Sequence, residues 1–294
     1  MRTAAPLLSA GLFLLSAPAL AADPVPPVAA STGQEDLQSP TQRETRQTAY
    51  ALPAGMWGFN AGALGVGGGE IYAKLGVGYG LGAGVQLEMN LAHVGFGLLN
   101  VRGRWHFIDT RYFNLGASLG FWYGHGDWFW LYRGLAKDLV SKIDVIRVPV
   151  TLDASMPLAS WVELDLGLEY SYADIFGTLD LRGSAYRDAY IGSRQFAVRP
   201  GVRFFLSNTT SLAISALLPA YTAVPVGVAG ADGQDGKEHT FDPVPFSKVW
   251  SFEAGLRSRF QPGIFGNLRF HYSEVAKLLY GAAFYPSFEL EVRL

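Results

Sequence analysis

Cysteine is absent from the chain, which removes both a disulfide framework and a lipid-anchored cysteine. Small secreted domains commonly depend on such staples; a closed β-barrel, whose hydrogen-bond ladder has no ends, does not. Charge is also sparse. Only 16% of residues are Asp, Glu, Lys or Arg and the net charge is −2, so there is no basic face for nucleic acid. Long hydrophobic runs are missing as well. The longest apolar core, Leu7 to Leu15, falls short of the roughly 18–20 residues a helical span requires. A helical membrane protein is therefore excluded, and a barrel is not. The five histidines are scattered without the paired spacing of metal ligands, so no metal and no cofactor is expected.

What is present begins with an export signal. Arg2 supplies the positive start, Leu7 to Leu15 the apolar core, and Ala19-Leu20-Ala21 a small-x-small cleavage site, which puts the signal at 1–21. Residues 22–48 are rich in Pro, Ser, Thr, Gln and Glu and nearly free of large apolar residues, so they read as a flexible periplasmic tail. From 49 to 294 one pattern repeats. About ten residues alternate apolar with polar or small ones, then a turn follows. Thirty-five glycines and 14% aromatic residues fit such a strand-rich chain.

In the stretch from Trp250 to Phe260, Trp250, Phe252, Ala254, Leu256 and Phe260 share one face, and Ser251, Glu253, Gly255, Arg257 and Arg259 the other. A period of two is the geometry of a strand. A soluble sandwich also alternates, but here the second face carries so many charges that it needs a lumen. About twelve strands result, near 55–64, 70–79, 82–93, 97–108, 112–124, 144–155, 160–172, 194–206, 211–222, 248–260, 266–275 and 281–294. The connections at 80–81, 109–111, 156–159, 207–210 and 261–265 are short; the long ones, 125–143, 173–193 and 223–247, all fall on the opposite side. Short periplasmic turns and long external loops are the arrangement of transmembrane barrels. Trp57, Trp105, Phe107, Phe113, Phe204 and Phe260 gather near one set of strand ends, and Phe121, Tyr123, Tyr170, Tyr172, Trp250 and Tyr272 near the other, as two interfacial girdles would.

The expected fold is thus all-β, a single antiparallel transmembrane barrel of about twelve strands. By parity its lumen is lined by the acids Glu70, Glu88, Asp153, Glu163, Asp165, Glu169, Glu253, Glu289 and Glu291 and the bases Lys74, Arg102, Arg104, Arg147, Arg199, Arg203, Arg257, Arg259, Arg269 and Arg293. A turn at 80–81 would set Lys74 opposite Glu88, and one at 156–159 can set Arg147 opposite Glu169. Arg257, Arg259 and Arg269 flank one turn and would repel unless Glu289, Glu291 or an anion offsets them.

These residues carry a resemblance. From Ala49 to Leu294 the chain looks like the bacterial outer-membrane β-barrel superfamily. Its opening, Thr48-Ala49-Tyr50-Ala51-Leu52-Pro53-Ala54-Gly55-Met56-Trp57, is similar to that of barrels grouped with FadL-like and meta-pathway transporters. The resemblance implies the outer membrane of a Gram-negative bacterium, outer-membrane lipid around the belt, and insertion by the barrel-assembly machinery. The last residue, Leu294, departs from the aromatic ending of that family's assembly signal.

Other motifs read as structural. Gly116-Ala117-Ser118-Leu119-Gly120 spells G-x-S-x-G, but within an alternating strand and with no helix after it, where a nucleophile elbow needs a sharp strand-to-helix turn. Gly76, Gly78, Gly80, Gly82 and Gly84 lack the spacing and context of a dinucleotide fingerprint. Asp232, Asp235 and Glu238 lie in a glycine-rich loop that is too sparse in oxygens for a calcium loop. Trp128 to Tyr132, followed by Leu135, Leu139 and Ile143 at helical spacing, suggests either a lid for an apolar solute or a short helix at the rim. His271 and Ser273 share the inward face, so the sharp alternative is an esterase, although outer-membrane phospholipases keep their serine at the lipid-facing wall. The leading expectation is a passive channel or transporter for small solutes, amphipathic or anionic ones among them. A plugged structural or surface barrel is the runner-up, and a lipid-modifying hydrolase the third.

Overall fold

A strand that alternates apolar and polar residues can bury one face in lipid and one in a lumen, but its backbone groups need partners at both edges. The chain meets that need by closing on itself. The computed structural model describes residues 51–66, 70–95, 97–110, 112–125, 140–181, 184–185, 188–229, 238–241, 249–274, 277 and 283–294. The expected signal and tail, most of the Trp128 loop, and Asp232 and Asp235 lie outside them.

The wall is built from β1 (Trp57–Val66), β2 (Glu70–Gly82), β3 (Val85–Asn90), β4 (Leu98–Asp109), β5 (Asn114–His125), β6 (Val140–Ala159) and β7 (Val162–Leu181), then β9 (Asp188–Phe205), β10 (Thr210–Ala229), β12 (Ser251–Gln261), β13 (Ile264–Ser273) and β14 (Phe284–Arg293). Two short strands, β8 (Ser184–Ala185) and β11 (Glu238–Phe241), extend the hairpins beside β7 and β10. Every wall pairing is antiparallel, and β14 pairs with β1 to make a closed barrel of 12 strands. At the seam, Trp57 and Leu294 exchange both backbone hydrogen bonds at 2.8 Å, so the non-aromatic last residue still completes the ladder.

Each strand of the sequence reading has its counterpart, with three corrections. First, the turn expected at 80–81 lies at Ala83–Gly84, where Gly82, Ala83 and Gly84 all take positive φ (98°, 49° and 73°). Tight hairpins need that backbone region because it matches the strand twist. Second, β3 stops at Asn90 instead of running to 93, and a short helix, α1 (Leu91–Gly95), follows. Asn90 caps it, its Oδ1 accepting the Ala92 N–H at 3.1 Å, while the Asn100 side chain takes up the Asn90 backbone, accepting its N–H and donating to its carbonyl. The two amides replace the ladder there. Third, the expected loop at 173–193 is largely strand: β7 runs to Leu181 and β9 starts at Asp188. On the same side β10 continues to Ala229 and β6 begins at Val140, so Ile143 sits on a strand.

These extensions have one direction. Transmembrane strands need about 9–11 residues; β1, β13 and β14 have 10 each, whereas β6, β7 and β10 have 20. Since the short turns hold the other ends level, the surplus projects on the long-loop side. Along the belt the outward face is predominantly apolar. On β4, Leu99, Val101, Trp105 and Phe107 are exposed, while Asn100, Arg102, Arg104 and His106 between them are buried. Among the aromatics of the two expected girdles, Trp57, Trp105, Phe107, Phe113 and Phe260 are exposed near the short turns, and Phe121, Tyr170 and Phe252 toward the long loops. Such an inversion, apolar outside and polar inside, is stable only with lipid around the belt.

Candidate functional site in the barrel lumen

The lumen holds a charge network whose members come from nearly every wall strand. Arg102, Arg104, Arg147, Arg203, Arg257, Arg269 and Arg293 are all buried, as are Glu88, Glu163, Glu169, Glu289 and Glu291. Lys74, Asp153, Asp165, Arg199, Glu253 and Arg259 share the inward faces and stay partly open. These residues alternate along their strands with the exposed apolar ones; the side chain of Glu70 lies outside the described set.

Their partners differ from the expected ones, and register is the reason. With the hairpin turn at Ala83–Gly84, Glu88 faces Gly78 on β2, while Lys74 faces Gly62 on β1. Lys74 instead donates to Glu289 at 2.8 Å, and Glu88 lies 3.3 Å from Arg104. The turn at Ser160–Trp161 pairs Arg147 with Ala173 rather than Glu169. Arg147 sits over the Trp122 ring at 5.4 Å and donates to Ser171 Oγ at 3.4 Å. The arginines around the last short turn are offset as well: Arg257 pairs with Asn267, and Arg269 with Gly255. Carboxylates suffice for the charge. Arg257 donates to Glu291 at 2.9 Å, and Arg269 lies 3.5 Å from Glu253 and 3.9 Å from Glu289.

Inward side chains differ in exposure along the axis. Toward the short turns, Gln86, Asn114, Ser155, Glu163, Arg203, Ser211, Arg257, Phe265 and Asn267 are all at or below 2% exposure. In the next layer Glu253 and Arg199 keep 26% and 24% of their side-chain surface, Asp153 14% and Lys74 11%. Arg199 donates to Asp153 at 2.6 Å in this wetter layer. The lumen is thus most open in this middle layer; nearer the long loops Ala197, Ser171, Asn100, Ser193 and His271 are again only 0–4% exposed.

Residues 51–56 complete the floor. Ala51 and Leu52 are buried at 3% and 2%, inside the wall rather than beside it. The Leu52 N–H donates to Gln86 Oε1 at 2.7 Å, and Gln86 donates onward to Glu88 at 2.9 Å. The Leu52 side chain rests where β1 and β2 carry Gly58 and Gly78, and a Cβ on Gly80 would overlap the Pro53 carbonyl oxygen. The inward-facing part of the glycine ladder is therefore a seat for this strap.

Ser118 of the G-x-S-x-G sequence is held in β5 and accepts two hydrogen bonds from Arg102, at 3.0 and 2.7 Å, so it forms no elbow. His271 and Ser273 are both inward and buried, but the histidine meets a different serine: Nε2 lies 2.8 Å from Ser287 Oγ. Parity alone could have placed Ser287, Asn267, Gln86 and Asn114 in the lumen; attention to charged residues passed over them. Nothing in the periodicity marked Leu52, because the strap is not a strand.

No protein-family model matches the chain, and no curated protein does. Solved structures do. The Ralstonia pickettii toluene transporter TbuX is 9% identical with a TM-score of 0.46, covering 93% of this chain and 97% of its own. The NanC porin is 11% identical with a TM-score of 0.43, over 80% of this chain and 98% of its own. Acinetobacter baumannii Omp33 is 11% identical with a TM-score of 0.35, over 81% and 97%. The chain's own geometry is a closed barrel of 12 antiparallel strands with an apolar belt and a charged lumen.

Proposed function

We propose that the chain is a gated channel of the Gram-negative outer membrane for small solutes, amphipathic and anionic ones among them, with its gate at the periplasmic end. The observation that carries this reading is the partly open middle layer of the lumen, where Glu253 and Arg199 keep about a quarter of their side-chain surface while Gln86, Asn114 and Glu163 below them keep none. A barrel filled only to be rigid has no use for such a layer. The floor also keeps hydrogen-bonding capacity, since Asn114, Ser155 and Ser211 carry side-chain polar atoms that no described protein group bonds. Such atoms suit water or a polar solute. Short turns face the periplasm in this reading, and lipid surrounds the belt after insertion by the barrel-assembly machinery.

The second reading, a plugged structural barrel, is favoured by the interlocked pairs Arg257–Glu291 and Lys74–Glu289. Single-channel recording of the refolded protein in a planar bilayer separates the two. The gated channel gives rare, small openings in the native protein and larger, longer ones in Leu52→Gly, whose floor has lost its apolar seal. Silence from both proteins would establish the plug.

A further inference from the structure

A side-chain cluster that the channel reading draws on only through Glu253 joins three consecutive strands in the lumen half nearer the long loops. Glu253 on β12 and His271 on β13 are directly paired in the ladder, and Ser287 on β14 sits diagonally from His271. Glu253 Oε2 lies 3.2 Å from His271 Nδ1, and His271 Nε2 lies 2.8 Å from Ser287 Oγ. We propose that Ser287, His271 and Glu253 form a hydrolytic triad that cleaves small, soluble carboxylic esters inside the barrel.

Three features carry the assignment. A carboxylate at Nδ1 holds the proton there, so Nε2 is left as the acceptor for the serine hydroxyl, the tautomer a general base needs. The imidazole is fixed in that orientation by Tyr285, stacked on it with ring centroids 5.0 Å apart and planes 12° from parallel. A positive charge stands beside the nucleophile: Arg269 is the ladder partner of Ser287, and its guanidinium lies within reach of Glu253 and Glu289. Positive charge at that place favours the oxyanion that develops on attack.

The position of the serine defines the substrate class. Phe284, Pro286 and Phe288 take the lipid side of β14, and Ser287 alternates with them toward the lumen. Membrane acyl chains do not reach it, whereas a soluble ester in the partly open layer around Glu253 does. Ser287 Oγ bonds to the ester carbonyl carbon as its proton passes to His271 Nε2. The ester C–O bond then breaks, and the departing alcohol takes that proton. Water hydrolyses the acyl-serine by the same relay, releasing a carboxylic acid and restoring the hydroxyl.

The test uses the full-length refolded protein in detergent, with folding scored by the gel-mobility shift of unboiled barrels. A fluorophosphonate probe is the first readout: Oγ bonds to phosphorus, fluoride leaves, and His271 accepts the proton. The native protein and Ser273→Ala should be labelled at Ser287. Ser287→Ala should not be, and folded His271→Gln should label at least about 100-fold more slowly, the usual contribution of a general base. Hydrolysis of p-nitrophenyl acetate should fall in the same order. An unlabelled native protein overturns the triad, as does His271→Gln labelling at the native rate. These outcomes leave the channel reading untouched, because that reading is scored by conductance alone.

Discussion

Arg257 and Glu291 meet at 2.9 Å across the width of β13, both nearly sealed from solvent, with Asn267 of the intervening strand accepting a second guanidinium N–H at 3.1 Å. Glu291 also accepts from Arg293, and both arginines lie over the Phe265 ring, at 4.4 and 4.3 Å. One carboxylate thus serves two cations that share one aromatic ring. Removing one partner of a buried pair leaves an uncompensated charge, at a cost of about 3–5 kcal/mol. Arg257→Ala removes one cation and leaves Glu291 with Arg293. Glu291→Ala takes the shared carboxylate from two. The second change should therefore be the more destabilising, read as the midpoint of urea unfolding followed by gel mobility. Equal midpoints would mean that the pairs act independently.

The strap suggests a substitution that opens the gate while adding atoms to the wall. A Cβ at Gly80 meets the backbone oxygens of Pro53 and Leu52, which cannot rotate away as a side chain would. Gly80→Ala should push residues 51–56 off their seat and break the hydrogen bonds between Gly80 and residues 55 and 56. Longer, larger openings are expected in planar bilayers. Gly103→Ala is the comparison, because its new Cβ has only ordinary contacts, at 3.9 and 4.0 Å. Native-like gating in Gly80→Ala would show that the strap does not close the floor.

The wall was legible because its signal is periodic. Lipid on one side and a lumen on the other force alternation, and alternation shows in residues such as Phe252 and Glu253 without any knowledge of partners. Turn positions were less legible. Ala83 takes positive φ with no sequence cue beyond its flanking glycines, and the resulting register decided that Lys74 meets Glu289 rather than Glu88. Pairs between distant strands depend on such details at every hairpin. The upper part of β7 escaped notice for another reason. Asp174 faces outward there, held by Tyr172 and Arg194, and an ion pair on the outer face breaks the apolar rhythm that marks a lipid-facing strand. The strap carries no period at all, so only its depth in the barrel identifies it.

Topology can be checked with single cysteines, since the chain has none of its own. Asn208 lies in the short turn between β9 and β10, and Ala185 in β8 at the tip of the projecting β7–β9 hairpin. A membrane-impermeant maleimide added to intact cells should label Ala185→Cys and spare Asn208→Cys. Both should react once the outer membrane is permeabilised. The reverse pattern would invert the barrel and move the strap to the external side.

The last prediction concerns ion selectivity, which only the hydrated layer can govern. Among the described lumen residues bases outnumber acids, so the pore should prefer anions at low salt. Most of these charges are sealed in pairs within the floor, but Arg199 and Asp153 are paired where water reaches them. Neutralising one partner releases the field of the other. For a permeating ion about 6 Å away in water-like surroundings, one unit charge is worth roughly 0.7 kcal/mol, about threefold for either ion, and the opposite signs make that about tenfold in relative permeability. Asp153→Asn should raise the anion-to-cation permeability ratio by about that factor, and Arg199→Gln should lower it equally. Both effects should fade as salt rises and the screening length shrinks to about 10 Å near 0.1 M and about 3 Å at 1 M. Reversal potentials across a salt gradient measure this directly. Opposite shifts of similar size place the ion path beside the Arg199–Asp153 pair; unchanged reversal potentials in both variants would route the ions elsewhere.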